Sequence, residues 1–165
     1  MESADVDMKE KAKEAGKEEQ KKALVKAYLL KERVVTENTD AARELYNQSR
    51  YGKLLADGRV QLALTEAMYL LERGKIAVAA SRGKKGVSPE QFMKKASKTQ
   101  QNFWVKYSVF KDIRDRGYII KTALKFGADF RIYDRGVKPG EDHARWILYP
   151  VHEGDTLTWH EFSAK

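Results

Sequence analysis

KYSVFKDIRDRGYIIKTALKFGADFRIYDRG, residues 106–136, changes its period half-way along. Up to Arg116, apolar positions 103, 104, 107, 109, 110 and 113 keep the spacing of a helix. Gly117 is a natural stop. Beyond it, Tyr118-Ile119-Ile120 and Ala128–Tyr133 read as strands joined through Lys125-Phe126-Gly127. Asp129, Arg131 and Tyr133 alternate with Phe130 and Ile132, so Tyr133 is expected to share a sheet face with Arg131 and to oppose Ile132. HARWILYPV, 143–151, reads as a third strand. A helix followed by a run of strands makes an α+β chain.

Upstream, a long helical pattern runs back from Arg116 to Ser88-Pro89-Glu90, where Ser88 suits the N-cap and Pro89 the first helical position. SRGKKG, 81–86, has no apolar residue and reads as a linker. Before it lie a short strand, IAVAA at 76–80, and VQLALTEAMYLLERG, 60–74. The apolar positions 60, 62, 64, 67, 68, 70 and 71 predict one wide helical face ending at Gly74. LVKAYLLKERVVT, 24–36, predicts a hairpin turning at Lys31-Glu32. Asn38 or Thr39 then caps a helix, DAARELYNQ, ending near Ser49, and Asp57-Gly58 marks a turn. Residues 1–22 are charged and nearly free of large apolar groups, which reads as a tail or a frayed helix. At the other end, Thr158 with Glu161 forms a capping box for a last helix. The domain reading is a tail at 1–22, an N-terminal domain at 23–80, a linker at 81–87 and a second domain at 88–165.

The absence of cysteine excludes a disulfide scaffold, a cysteine zinc site and a thiol nucleophile, and it fits a reducing cytoplasm. No apolar run approaches the roughly 18 residues of a membrane span, and the first 22 residues lack the apolar core of a signal peptide. Charge is concentrated: between Lys94 and Lys138 twelve Lys or Arg face four acids, a surplus equal to the +8 of the whole chain. A concentrated basic face points to a polyanion, most simply nucleic acid, over a merely solubilising surface.

Within that face, Tyr133 and His143 lie ten residues apart across a Pro139-Gly140 turn. They read either as a satisfied core pair or as a base and an acid held over one phosphate. Metal-free RNA cleavage needs a group to remove the 2′-OH proton, a group to protonate the departing 5′-oxygen, and positive charge on the phosphorane. Tyrosine as a class serves as a base where cations stabilise the phenolate, and histidine titrates in the range an acid needs. Arg131 and Arg135 are near Tyr133 in sequence. The spacing alone leaves both readings open.

YSVFKDIRDRGYIIK, then LKFGADFRIY, then the histidine at its ten-residue spacing resemble the signature of the archaeal tRNA-splicing endonucleases. VQLALTEAMYLLERGKI, 60–76, resembles the N-terminal domain helix of that family, and the likeness runs from about residue 24 to 165. The resemblance implies a mixed-sheet α+β catalytic domain behind a smaller α/β N-terminal domain. It implies cleavage of precursor tRNA at a bulge-helix-bulge without metal or other cofactor, leaving 2′,3′-cyclic phosphate and 5′-hydroxyl ends. By position, Tyr133 takes the role of base and His143 that of general acid, with Arg131, Arg135 and Lys125 as RNA contacts. Similar proteins assemble from four units, identical or not, an acidic loop of one docking in a basic pocket of another. Here HEGDT, 152–156, offers Glu153 and Asp155. The family's catalytic lysine lies about thirty residues beyond the histidine, near position 174 of this numbering. Lys165 is only 22 residues beyond His143, and the role is not carried onto it. The chain therefore reads as a fragment, or as one completed by another chain, expected to cleave poorly alone.

Three other readings compete. One is a non-catalytic structural subunit of such an assembly, although this chain keeps both Tyr133 and His143. Another is an RNA-binding module stacking bases on Trp104, Tyr107, Phe110 or Trp146, of which 104, 107 and 110 are spaced to face a core. Trp159 is a further candidate of that kind. The third, a metal nuclease, has little to stand on: His143, His152 and His160 lack tight ligand spacing, and SRGKKG lacks the phosphate-loop pattern.

Overall fold

The computed structural model describes residues 24–80, 85–123 and 128–165. The 1–22 tail, most of the SRGKKG linker, and Lys125 with its neighbours lie outside the described residues.

Strands β1 (Val25–Leu29) and β2 (Arg33–Thr36) form the expected hairpin, closed by Leu30 N–H donating to Arg33 O at 2.8 Å. Helix α1 (Asp40–Asn47) starts where Thr39 Oγ1 accepts from Ala42 N–H at 3.2 Å. Strands β3 (Lys53–Leu54), β4 (Val60–Ala63) and β5 (Ile76–Ala79) complete a mixed sheet in the order β3-β4-β2-β1-β5. Only the β1–β5 pair is parallel, with Val25 opposite Ile76, and helix α2 (Leu64–Glu72) lies in the crossover between them.

The helical reading of 60–74 needs correcting. Residues 60–63 are strand, pairing antiparallel with β2 so that Arg33 faces Ala63. Over four residues, apolar positions at 60 and 62 satisfy a period of two as well as a wide helical face, and the β2 edge decides between them. From Leu64 to Leu70 every residue of α2 is buried, Thr65 and Glu66 included, so α2 is an interior helix rather than a one-faced one.

The long helix is also two. Helix α3 (Pro89–Thr99) begins at a capping box between Ser88 and Gln91, and α4 (Phe103–Asp115) follows a break. Asn102 supplies the reversal in the left-handed region, φ 54°, a conformation Asn tolerates better than most residues. The break lets Phe92 and Ala96 of α3 and Phe103, Tyr107 and Phe110 of α4 both bury against α2. Burying a side chain such as Phe110 contributes about 1.5–3 kcal/mol. Gly117, at φ 88°, ends α4 and redirects the chain into the second sheet.

That sheet is antiparallel, β6 (Ile119–Thr122), β7 (Phe130–Tyr133) and β8 (Trp146–Leu148), in the order β6-β7-β8. The third strand is shorter than 143–151, because Pro150 has no N–H to give a ladder and His143-Ala144 belong to a loop. Helix α5 (Trp159–Ser163) has the expected Thr158–Glu161 capping box. One hydrophobic core runs from Val25, Val34 and Leu62 through α2 to Phe110, Ile120, Phe130 and Ile132.

A buried ionic clamp ties β6 to the first sheet. Glu66 accepts from Gly52 N–H (2.9 Å), Ala63 N–H (2.9 Å) and Lys121 Nζ (3.1 Å), while Lys121 also donates to Gly52 O at 2.7 Å. Gly52 fits there because it adopts φ 66°, and a Cβ would lie 2.5 Å from Gln61 O.

Candidate functional site

Tyr133 is the last residue of β7, only 3% exposed. Strand alternation puts it on the face of Arg131, whose guanidinium lies 5.9 Å from the phenol ring centroid, as the pattern predicts. Residues 134–145 then loop out and return. Val137 N–H donates to Asp134 O at 3.3 Å, Lys138 pairs with Glu141 at 2.5 Å, and His143 N–H donates to Asp142 Oδ1 at 2.7 Å. The loop closes at its base twice: Arg145 N–H donates to Ile132 O at 2.9 Å, and the Arg145 guanidinium pairs with Asp134 at 2.8 Å. The hydrogen bond to Asp134 raises the pKa of Arg145 above its ordinary value, so its charge is secure.

Tyr133 and His143 are thereby the two shoulders of one closed loop. They are not a core pair: Tyr133 is buried, but His143 is exposed to solvent. A reactant approaching from solvent meets the imidazole directly, whereas the phenol lies buried at the end of the central strand β7.

Arg135 stands over the Tyr118 ring at 5.3 Å. Lys125 lies outside the described residues. Glu153 and Asp155 are exposed in a tight turn, where Asp155 N–H donates to His152 O at 2.9 Å and Gly154 N–H to His152 Nδ1 at 3.0 Å. Tyr107 and Phe110 face the core as expected, but Trp104 does not. One step round α4 from Phe103, it is 56% exposed and meets the His152 ring edge-on at 6.1 Å. Trp159 is more exposed still, at 87%.

Between α1, the end of α2 and the start of β6 lies a cleft of about 770 Å³, with Arg50, Arg73, Lys75 and Arg114 in its lining and Glu44 as its acid. Arg114 donates to Ser49 O and to Tyr118 O, stitching the two halves of the chain across the cleft. Its guanidinium covers the Tyr51 ring at 4.1 Å, and that of Arg73 covers Tyr69 at 3.7 Å. Two phenols brace α2 against α4: Tyr69 donates to Asp115 at 2.8 Å and Tyr107 to Glu72 at 2.5 Å. Burial, then the neighbouring carboxylate, raises both phenol pKa values well above the tyrosine range. Burial also pushes Glu72 up, but the bonds from Lys111 and Tyr107 outweigh it and hold the carboxyl below its usual value.

Among the described residues no three His, Asp or Glu side chains gather as metal ligands, and no helix is long and apolar enough to cross a membrane. Residues 25–93 match the family model for the N-terminal domain of tRNA intron endonuclease, and residues 103–165 match that for its catalytic C-terminal domain. The chain belongs to the tRNA intron endonuclease family. A tRNA-splicing endonuclease of Methanothermobacter thermautotrophicus is 41% identical over 140 residues, 85% of this chain and 79% of that protein. One of Thermococcus kodakarensis is 41% identical over 138 residues, 84% and 79% of the two chains. A third, of Nanoarchaeum equitans, is 41% identical over 119 residues, 68% and 75%.

Within this family member, two features of the site escaped the sequence. Arg145 gave no periodic or motif signal, since its role depends on Asp134 eleven residues earlier. The cationic cleft is assembled from three separate segments, around 50, 73–75 and 114, and no local pattern joins them.

Proposed function

We propose that this chain cuts precursor tRNA at intron boundaries presented as a bulge-helix-bulge, without a metal ion. Tyr133 removes the proton of the 2′-hydroxyl, and that oxygen attacks the adjacent phosphorus. The bond to the 5′-oxygen breaks, His143 gives the leaving oxygen its proton, and the products carry a 2′,3′-cyclic phosphate and a 5′-hydroxyl. Arg131, Arg135 and Lys125 neutralise backbone phosphates. The observation that supports this reading is the doubly closed loop base, which holds Tyr133 and His143 on one short stretch of chain. General acid catalysis contributes about 10²- to 10⁴-fold, so His143→Ala and Tyr133→Phe should each cost at least 100-fold in kcat. The assay is cleavage of a bulge-helix-bulge RNA in EDTA with end-group analysis, run on this chain and on a version extended C-terminally by a family-type segment carrying a further lysine. Cyclic-phosphate product lost in His143→Ala supports the nuclease. RNA binding without product from either version leaves a structural subunit or a binding module.

Assembly belongs to the same reading. The Glu153–Asp155 turn of one copy docks in the cleft of Arg50, Arg73, Lys75 and Arg114 on another, in an assembly of four. Charge complementarity supports the pairing, because the cleft lining holds Arg50, Arg73, Lys75 and Arg114 against the Glu44 carboxylate, and of these cations Arg73 is already paired with Asp115. Light scattering tests it: Glu153→Lys should lower the mass of the assembly, and Lys75→Glu in the same chain should restore it. An unchanged mass in Glu153→Lys refutes the docking.

A further inference from the structure

Most of the basic surplus of residues 94–138 is compensated within the fold. Lys106 pairs with Asp129 at 2.6 Å, Lys111 with Glu72 at 2.8 Å, Arg116 with Asp112 at 2.9 Å, Lys121 with Glu66 at 3.1 Å and Lys138 with Glu141 at 2.5 Å. Arg114 is held by the carbonyls of Ser49 and Tyr118. Lys94, Lys95 and Lys98 differ. All three are exposed on α3, and among the described residues none of them makes an ion pair.

The helix gathers these three charges and leaves them unanswered. At about 100° per residue they fall within roughly 100° of its circumference, turned away from the buried Phe92 and Ala96. Glu90, the one acid of α3, lies four residues before Lys94, the spacing of a helical ion pair, yet its carboxylate accepts from Ser88 Oγ at 2.7 Å instead. The helices packed against α3 offer no carboxylate either. On α2, Glu66 and Glu72 are taken by Lys121 and Lys111, and on α4, Asp112 and Asp115 are taken by Arg116 and Arg73. Lys94 and Lys98 stand about 6 Å apart along the helix axis. Phosphates of one strand rise about 3.4 Å each in a B-form duplex, so the face spans about two of them.

We propose that Lys94, Lys95 and Lys98 form a phosphate-binding face for helical RNA, on α3 and separate from the β7 loop that carries Tyr133 and His143. The inference rests on the reading of RNA as the polyanion this chain binds, and not on the chemistry of cleavage. Lysine ammonium groups act as point charges on flexible stems and read no base. The face therefore supplies affinity and orientation for a stem, and none of the choice of cut.

The test uses a plain RNA duplex without bulges, its affinity for the chain followed by fluorescence anisotropy across a range of salt. The triple variant Lys94→Gln/Lys95→Gln/Lys98→Gln removes three charges while keeping helix propensity nearly constant, and circular dichroism checks its fold. It should weaken duplex binding about ten-fold and lower the slope of log affinity against log salt by about two. The matching variant Lys94→Arg/Lys95→Arg/Lys98→Arg should keep both. Lys26→Gln/Lys31→Gln/Lys53→Gln removes the same charge from exposed positions of the first sheet and should have less than half the effect. Equal losses from the two glutamine triples, or an unchanged salt slope in the first, overturn the proposal. So does a fall in the mass of the assembly with RNA affinity constant, which would make the face a contact for an acidic protein surface. The nuclease reading is judged separately, because His143→Ala should abolish cleavage and keep the duplex affinity. If the unaltered chain binds the duplex with the expected slope but cuts nothing, cleavage fails and the lysine face stands.

Discussion

Removing the Glu66 carboxylate should be the most damaging single polar change in the described fold. Its side chain is 6% exposed and that of Lys121 is 14% exposed, so the pair is nearly dry. Breaking a buried pair from one side costs about 3–5 kcal/mol, because a charge is left without its partner. Lys121 would keep Gly52 O at 2.7 Å, which moves this term to the low end. Gly52 N–H and Ala63 N–H would each lose an acceptor at 2.9 Å, adding about 0.5–1 kcal/mol apiece. Glu66→Ala is therefore expected to cost about 4 kcal/mol, a large part of the 5–15 kcal/mol of an ordinary domain. Glu66→Gln keeps a carbonyl acceptor and should cost about 3 kcal/mol, the low end, and Lys121→Met about the same, since Glu66 keeps the Gly52 and Ala63 N–H donors. The double variant Glu66→Gln/Lys121→Met should lose less than the sum, with a coupling of at least about 1 kcal/mol. Urea unfolding followed by circular dichroism measures all four proteins. A cost below about 1.5 kcal/mol for Glu66→Ala, or strict additivity in the double variant, refutes the clamp. Because Lys121 lies on β6, beside the strand of Tyr133, the single variants should also lose activity at lower temperature than the parent.

Three further outcomes follow from the same geometry. The phenols of Tyr69 and Tyr107 have folded pKa values above their unfolded value of about 10, so their stabilisation is complete below that pH and is lost as pH rises past it. Urea midpoints measured from pH 8 to 11.5 should fall on the alkaline side, and Tyr107→Phe should flatten the fall; an unchanged slope counts against the brace. Gly52→Ala should cost more than about 3 kcal/mol by thermal unfolding, since the Cβ would overlap Gln61 O, Val60 and Leu62 in a positive-φ conformation, and a near-neutral result would refute that packing. Asp134→Ala opens one of the two loop ties: being an exposed pair it should cost under about 1 kcal/mol of stability, yet lower kcat by roughly 10- to 100-fold through displacement of His143, and equal effects on both would count against a positioning role.

The sequence by itself determined what depends on neighbours within about four residues. Ser88 and Thr158 were legible as caps, and the cap of α1 as Asn38 or Thr39, because the accepting oxygen and the donating N–H lie three residues apart; the structure uses Thr39. The switch at Gly117 and the shared face of Arg131 and Tyr133 were legible because a change of period needs no partner to be seen. Tyr133 and His143 were found as candidates, but only a family likeness raised them above two ordinary residues. Tertiary structure decided the rest. It made strand of 60–63 by offering the β2 edge, and it broke the long helix at Asn102 so that both halves could bury against α2. It turned Trp104 outward and buried Tyr133 while leaving His143 in solvent. It also joined Asp134 to Arg145, Glu66 to Lys121, and Arg50 to Arg73 and Arg114 across one cleft. Each of those depends on which distant segments meet, and that is set by burying the shared core rather than by any local pattern.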